Sequence, residues 1–264
     1  MKQGVSYREL FGRYIACNMK AGMEYRTSFW IQIFGMVINN ASFIVFWSIL
    51  YARVGDINGY GLNDVMFLWA LAAIGFGLCQ LLAGNWNHIS RIIYQGELDV
   101  YLLQPRRILP NLLASRMVVS GWGDVTYGIL LFVLFQALTL QGILLFLLFT
   151  LLFGMLFASM AVLAHSLTFF LGNAESAASL LAEAMISFTL YPGSIFRGTA
   201  KVLLMTVVPT VWAAYVPVEL FSEFSAGKFA LLIGVDVLFL LAALLVFRLG
   251  LRRYESGNRI GTRL

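Results

Sequence analysis

The sequence predicts an all-α polytopic membrane protein with about six transmembrane helices, an N-terminal interfacial helix and short re-entrant extracellular helices before the last span. Three observations predict it. Hydrophobic residues make up 60% of the chain and charged residues only 12%, against about 25% charged in a soluble domain. The apolar residues fall in blocks of about 20, enough for a helix to cross a hydrocarbon core of about 30 Å. The basic residues are also placed unevenly. With both termini in the cytoplasm, only Arg53, Arg197, Lys201 and Lys228 fall outside, as expected where short retained loops are enriched in Lys and Arg. An odd number of spans would put one basic terminus on the wrong side.

From the N-terminus, Tyr7, Leu10, Phe11, Tyr14 and Ile15 recur at helical spacing with Arg8, Glu9, Arg13 and Lys20 on other faces. Residues 1–27 are therefore expected to lie as a helix in the cytoplasmic interface, with Ser6 and Glu9 as a capping box at its start. A helix packed on other protein is the alternative. No cleaved signal peptide is expected, because this stretch is basic and amphipathic. The first span runs roughly from Ser28 to Tyr51 and the second roughly from Val65 to Ala83, joined by a loop with Gly and Asp. A polar stretch, 84–110, follows. The third span uses the apolar part of Asn111–Leu140, and Gln141-Gly142 turns into a fourth from near Ile143 to Gly172. Asn173-Ala174-Glu175 then turns into a fifth reaching about Tyr191. Residues 192–226 are too apolar for a solvated loop yet are interrupted by Pro192, Pro209 and Pro217, which suits re-entrant helices. The sixth span, roughly Phe229–Phe247, ends in a basic cytoplasmic tail, 248–264.

Several chemistries are poorly supported. No G-x-x-x-x-G-K-[ST] run exists, so the chain is not expected to hydrolyse ATP or to be an enzyme by itself. No cofactor is expected in it. His88 and His165 are the only histidines and have no acidic or thiol neighbours at coordinating spacing, which argues against a metal site. Ser194 with His165 would be the only intramembrane hydrolase pair, without a nucleophile elbow. The net charge of +5 follows from topology and does not call for nucleic acid. Small-residue pairs such as Ala73/Gly77 and Gly154/Ala158 predict close helix contacts.

Two groups of residues remain as candidates. Asp124, Glu183 and Asp236 fall within predicted spans, where an ionised carboxylate costs a few kcal/mol unless paired or hydrated. Asp124 can pair with Arg116 or lie near the cytoplasmic water layer, and the other two can hold helices together. Alternatively the three line a proton or cation path, as in an ion-coupled secondary transporter. The second group lies in the polar loop. Trp86, Ile89, Ile92 and Ile93 share one side of a short amphipathic helix, with Arg91 elsewhere on it, and Gly96 is placed to stop it. Glu97-Leu98-Asp99 begins another short element that Pro105 closes.

The run Gly96-Glu97-Leu98-Asp99-Val100-Tyr101-Leu102-Leu103-Gln104-Pro105 resembles the G-x-L-D-x-x-L-L-x-P loop of ABC-2-type permeases, of the branch associated with daunorubicin- and viologen-type export. The N-terminal amphipathic helix, the Tyr191-Pro192 pair and the Pro209–Pro217 stretch follow that family's order. The resemblance implies a single ABC-2-type transmembrane domain over 1–264 in a bacterial inner membrane. It also implies a second permease, identical or homologous, and two cytoplasmic ATP-binding subunits that bind ATP and Mg. Trp86–Gln95 would then be the coupling helix, and charged replacements at Ile89 and Ile93 would release the ATPase. Spans rich in Phe, Leu and Met are compatible with a hydrophobic or amphipathic cargo.

Overall fold

The computed structural model describes residues 7–255. Ser6 and the last part of the basic tail therefore lie outside the described residues. Thirteen α-helices occur among those described: α1 (Tyr7–Gly22), α2 (Arg26–Val54), α3 (Leu62–Leu82), α4 (Ile89–Tyr94), α5 (Asp99–Leu102), α6 (Ile108–Ala114), α7 (Gly121–Phe135), α8 (Leu140–Ser166), α9 (Thr168–Leu171), α10 (Glu175–Thr189), α11 (Thr199–Thr206), α12 (Val216–Ser222) and α13 (Ala226–Leu251). A π-helical turn, Val211–Tyr215, leads into α12.

Four segments are long and apolar enough to cross a membrane: α2, α3, α8 running on into α9, and α13. The helix α7 is apolar but has 15 residues, and α10 has the same length. Each is about 22 Å long at 1.5 Å per residue, short of a hydrocarbon core of about 30 Å. Helix α11 meets Val211–Ser222 at 80°, the bend expected from Pro209.

The third predicted span begins later than its apolar run. The chain breaks between α6 and α7, where Val118 N–H donates to the Gln80 carbonyl at 3.0 Å and Arg116 donates to His88 Nε2 at 2.9 Å. Arg116 is thereby held among polar groups, and the apolar helix in this stretch is α7 alone. Gln141-Gly142 is likewise no turn. Both residues lie in the first turn of α8, where Thr139 caps the helix by accepting the Gly142 N–H at 3.1 Å. Asn173 does turn the chain, its Oδ1 accepting the Glu175 N–H at 3.1 Å.

Helix α3 is the hub: 72% of its most apolar stretch is buried, against 11% for α2 and 17% for α13. Glycine permits this. A Cβ on Gly77 would stand 2.8 Å from the Gly121 carbonyl of α7, and one on Gly154 would stand 2.9 Å from the Gly75 carbonyl. Backbones can approach that closely only where no side chain intervenes. One apolar core surrounds α3, with Phe132 stacked on Phe146 at 3.9 Å and Phe67 against Phe221 at 4.4 Å. A second, smaller core lies under the polar loop, where Ile89, Ile93, Leu98 and Leu112 meet Val162 of α8 and Phe247 of α13.

Candidate functional site

The polar loop is built as a platform on the ends of α8 and α13. Its inner side is apolar: Ile89 and Leu98 are fully buried, and Trp86, Ile92 and Ile93 are buried too. Trp86 lies edge-on to Phe157 at 5.1 Å and donates its Nε1–H to Gln80 at 3.0 Å. These side chains, predicted to receive a partner, instead attach the loop to its own bundle. Charge at Ile89 or Ile93 would therefore disrupt this packing before it reached any docking surface.

Gly96 stops α4 as expected. It takes φ +75°, its N–H donates to the Ile93 carbonyl at 3.3 Å, and the Glu97 N–H donates to the Ile92 carbonyl at 2.9 Å. This 5→2 and 6→1 pair is a Schellman motif, which needs a left-handed residue at its centre. The turn drops Leu98 into the core beside Ile93 and starts α5 at Asp99. Tyr254, just past α13, lies close to Gly96 and packs on Phe169. Burial, then the neighbouring Asp99 carboxylate, pushes its hydroxyl pKa up to about 12.

Polar bonds lock the platform laterally. Ser90 of α4 is hydrogen-bonded to His165 Nδ1 at 2.7 Å and accepts from Thr168 at 2.9 Å, so α4, α8 and α9 meet at one hydroxyl. Asn85 donates to the Leu112 carbonyl at 3.1 Å and to Ser115 at 3.0 Å. Asn111 of α6 accepts from the Tyr14 hydroxyl and donates to Gln104, and Asn18 donates to the Ala114 carbonyl at 3.2 Å. Helix α1 is thus bonded to α6. His88 accepts the Arg116 proton at Nε2. Burial, followed by Arg116 and Arg91, lowers its pKa.

The outer side is different. Arg91, Tyr94, Glu97 and Pro105 are exposed, as are Val100 (61%), Leu102 (44%) and Leu103 (87%). A large apolar residue as bare as Leu103, with others beside it, marks a surface for contact.

Of the three candidate carboxylates, Asp124 lies on α7, Asp236 on α13 and Glu183 on α10, where it shares a cavity wall with Trp86. Asp124 is buried, and its Oδ1 accepts from Asn40 of α2 at 2.8 Å while Oδ2 has no hydrogen-bond partner among the described residues. It does not pair with Arg116. Asp236 is fully buried with neither oxygen bonded among them. Glu183 is exposed on α10. Ser194 donates to the Ile57 carbonyl at 3.0 Å, far in connectivity from His165, whose Nδ1 is engaged by Ser90, so these two form no pair. No cluster of three metal-ligating groups occurs among the described residues.

Sequence reasoning missed the Ser90–His165–Thr168 junction, the Asn111 hub and the contact of Tyr254 with Gly96. Each joins positions remote in the chain, and the only visible signal was a polar His165 near the end of an apolar run.

Residues 37–258 match the model of a family described as ABC-2 family transporter protein. No curated protein and no solved structure matches the chain.

Proposed function

The chain belongs to the ABC-2 family of transporter proteins, and from that premise we propose that it is the permease of an ATP-driven exporter whose loop 84–110 receives the ATPase. A permease of this family is the transmembrane component and leaves ATP hydrolysis to separate ATP-binding subunits. Two such subunits, holding ATP and Mg, serve a pair of permeases that are identical or homologous. The branch is that of daunorubicin- and viologen-type export, set in a bacterial inner membrane with both termini cytoplasmic, and the paired helices α11 and α12 re-enter from outside.

The observation that carries this reading is the two-sided build of the polar loop. Its inner face is fused to α8 and α13 through Ile89, Leu98, Val162 and Phe247. Its outer face presents Val100, Leu102 and Leu103 beside Arg91, Tyr94 and Glu97. A subunit seated on that face would grip a rigid body. Movement of the ATPases would then pass through the Ser90–His165–Thr168 bonds into α8, and through Leu98 and Phe247 into α13. Trp86, Ile89, Ile92, Ile93 and Leu98 act as the support of the coupling loop, Gly96 and Pro105 set its turns, and Arg91, Glu97 and Asp99 border its docking face.

The test is affinity purification of the tagged protein in mild detergent from cells expressing its native neighbours. Recovery with an ATPase whose turnover is vanadate-sensitive is the expected result, and recovery of the permease alone would sink the reading. Pairing Val100→Asp with Leu103→Asp should abolish co-purification while the permease keeps its thermal stability, because surface substitutions rarely move stability by more than about 0.5 kcal/mol. Cysteines introduced at Asn58 and Glu97 should label from opposite sides of the membrane.

A further inference from the structure

Where α6 begins, the polar loop and the last helix leave a cavity of about 250 Å³ between them. Its floor is apolar, with Leu109 and Phe247 buried and Leu244 and Leu251 half-buried. Two exposed arginines stand in its wall, Arg107 just before α6 and Arg248 in the last turn of α13, and no acidic side chain lines it. The nearby Arg253 is placed differently, its guanidinium lying over the Phe170 ring at 5.1 Å.

The apolar floor continues beyond the cavity. Val237, Leu241, Leu244 and Arg248 recur at three- and four-residue spacing, so they form one stripe on α13, and Val237 and Leu241 are exposed on it (43% and 58%). From Arg248 to Val237 the stripe is about 16 Å long at 1.5 Å per residue, close to one leaflet of a hydrocarbon core of about 30 Å. A cationic head on an apolar track one leaflet long restricts the occupant. A soluble anion would use the arginines and leave the track bare. A zwitterionic lipid would cover the track but bring its own ammonium to two arginines. A cytoplasmic protein segment would reach the arginines but could not follow α13 into the bilayer. An anionic phospholipid satisfies both parts. Arginine binds phosphate oxygens through two parallel N–H donors, and its five donors serve more than one partner at a time. Basic pockets between helices on the cytoplasmic side suit such headgroups.

We propose that this groove binds one anionic phospholipid of the cytoplasmic leaflet, its phosphodiester held between Arg107 and Arg248 and one acyl chain laid along Leu244, Leu241 and Val237. Arg107 belongs to the polar loop and Arg248 to α13, so the headgroup adds an ionic link between the two beside the apolar core they already share. The lipid is a resident of the edge of the bundle and not a cargo. The site rests on the orientation given above, with both termini cytoplasmic, and its binding needs no ATPase.

The experiment is native mass spectrometry of the full chain in dodecyl maltoside, titrated with dioleoylphosphatidylglycerol or dioleoylphosphatidylcholine, with glycerol 3-phosphate as soluble competitor. Retention of phosphatidylglycerol at concentrations where phosphatidylcholine is lost, unaffected by glycerol 3-phosphate, is expected. Arg248→Gln should weaken it about fivefold, and combination with Arg107→Gln should weaken it about twentyfold or more. Arg253→Gln, outside the groove, should leave it unchanged. Should the Arg107 variant fail to fold, Arg248→Gln on the exposed last turn of α13 carries the test, together with a melting temperature of the parent chain that rises with phosphatidylglycerol and not with phosphatidylcholine. Equal retention of the two lipids or unchanged affinity in folded Arg248→Gln would overturn the proposal. Full displacement by glycerol 3-phosphate would make the groove a site for free phosphate, and loss of a co-purifying ATPase in Arg248→Gln with lipid retention intact would assign it to the partner subunit; either overturns the lipid site. Equal retention of the two lipids would leave an ATPase-driven permease standing, and a permease purified without an ATPase would leave the lipid site standing.

Discussion

The polar loop and the α3–α7 interior hold their buried polar side chains differently, although Asn87 Oδ1, His88 Nδ1 and His165 Nε2 of the loop region also lack a hydrogen-bond partner among the described residues. In the loop, Asn85, Ser90 and Asn111 are buried and each is bonded to neighbouring elements. In the interior, Asp124 and Tyr127 are buried with at least one oxygen unbonded among the described residues. A satisfied network rigidifies what it joins, whereas a polar group left unpaired in a low dielectric costs free energy. The first arrangement suits transmission of force. One chain thus spends its stability at one end and withholds it in the middle.

The sharpest way to break this comparison is to put a charge into the loop's inner face. Leu98→Asp would bury an unpaired carboxylate among Ile93, Leu112 and Phe247, and is expected to cost about 4 kcal/mol or more. Thermal unfolding followed in detergent should show a folded population largely lost. Retained stability would mean the loop is not fused to the bundle. Next in size is Gly77→Ala, whose added Cβ meets the Gly121 carbonyl at 2.8 Å. Backbone cannot yield as a side chain can, so a loss of about 1–3 kcal/mol is expected, read as a lowered melting temperature. Gly96→Ala tests the Schellman turn and should cost about 1–2 kcal/mol for the left-handed backbone, with ATPase stimulation falling alongside stability.

The smallest effect is a pH dependence. His88 has a folded pKa below its ordinary value of 6.5, so below that pH the unfolded chain binds more protons than the folded one. Its contribution to stability is therefore complete above about pH 6.5 and is lost as pH falls from there toward the folded pKa. Protonation also removes the lone pair that accepts from Arg116. His88→Gln should flatten the fall in melting temperature between about pH 7 and 5 relative to the parent protein. Equal slopes in the two proteins would mean that the contact with Arg116 does not hold the loop.

Much of the fold was legible because lipid imposes a length rule on sequence. Apolar runs near Ser28–Tyr51, Val65–Ala83 and Phe229–Phe247 found α2, α3 and α13 within a few residues, since a bilayer-crossing helix satisfies its backbone by itself. Gly96 was legible for an equally local reason, because only its own φ was at stake. The third predicted span, the apolar part of Asn111–Leu140, contains α7, whose late start hydropathy along the chain does not record because Arg116 and Val118 are held by His88 and Gln80 from other segments. What the sequence left open is where the apolar face of the candidate loop goes, and the structure buries it against α8 and α13. Helical spacing correctly placed Trp86, Ile89, Ile92 and Ile93 on one face, but nothing local says whether an apolar face meets a partner or its own bundle.

By itself, then, the sequence determined the solvent, the helical class, most span positions and the loop that carries a family's pattern, because each depends on residues adjacent in the chain. Tertiary structure alone decided which face of that loop is buried against the bundle. It also decided that Ser90 meets His165 and Thr168, and that Asp124 and Tyr127 share a cavity wall with Trp69 and Phe76. Those outcomes depend on how α3, α7, α8 and α10 pack, and packing brings together side chains whose separation along the chain carries no signal of their contact.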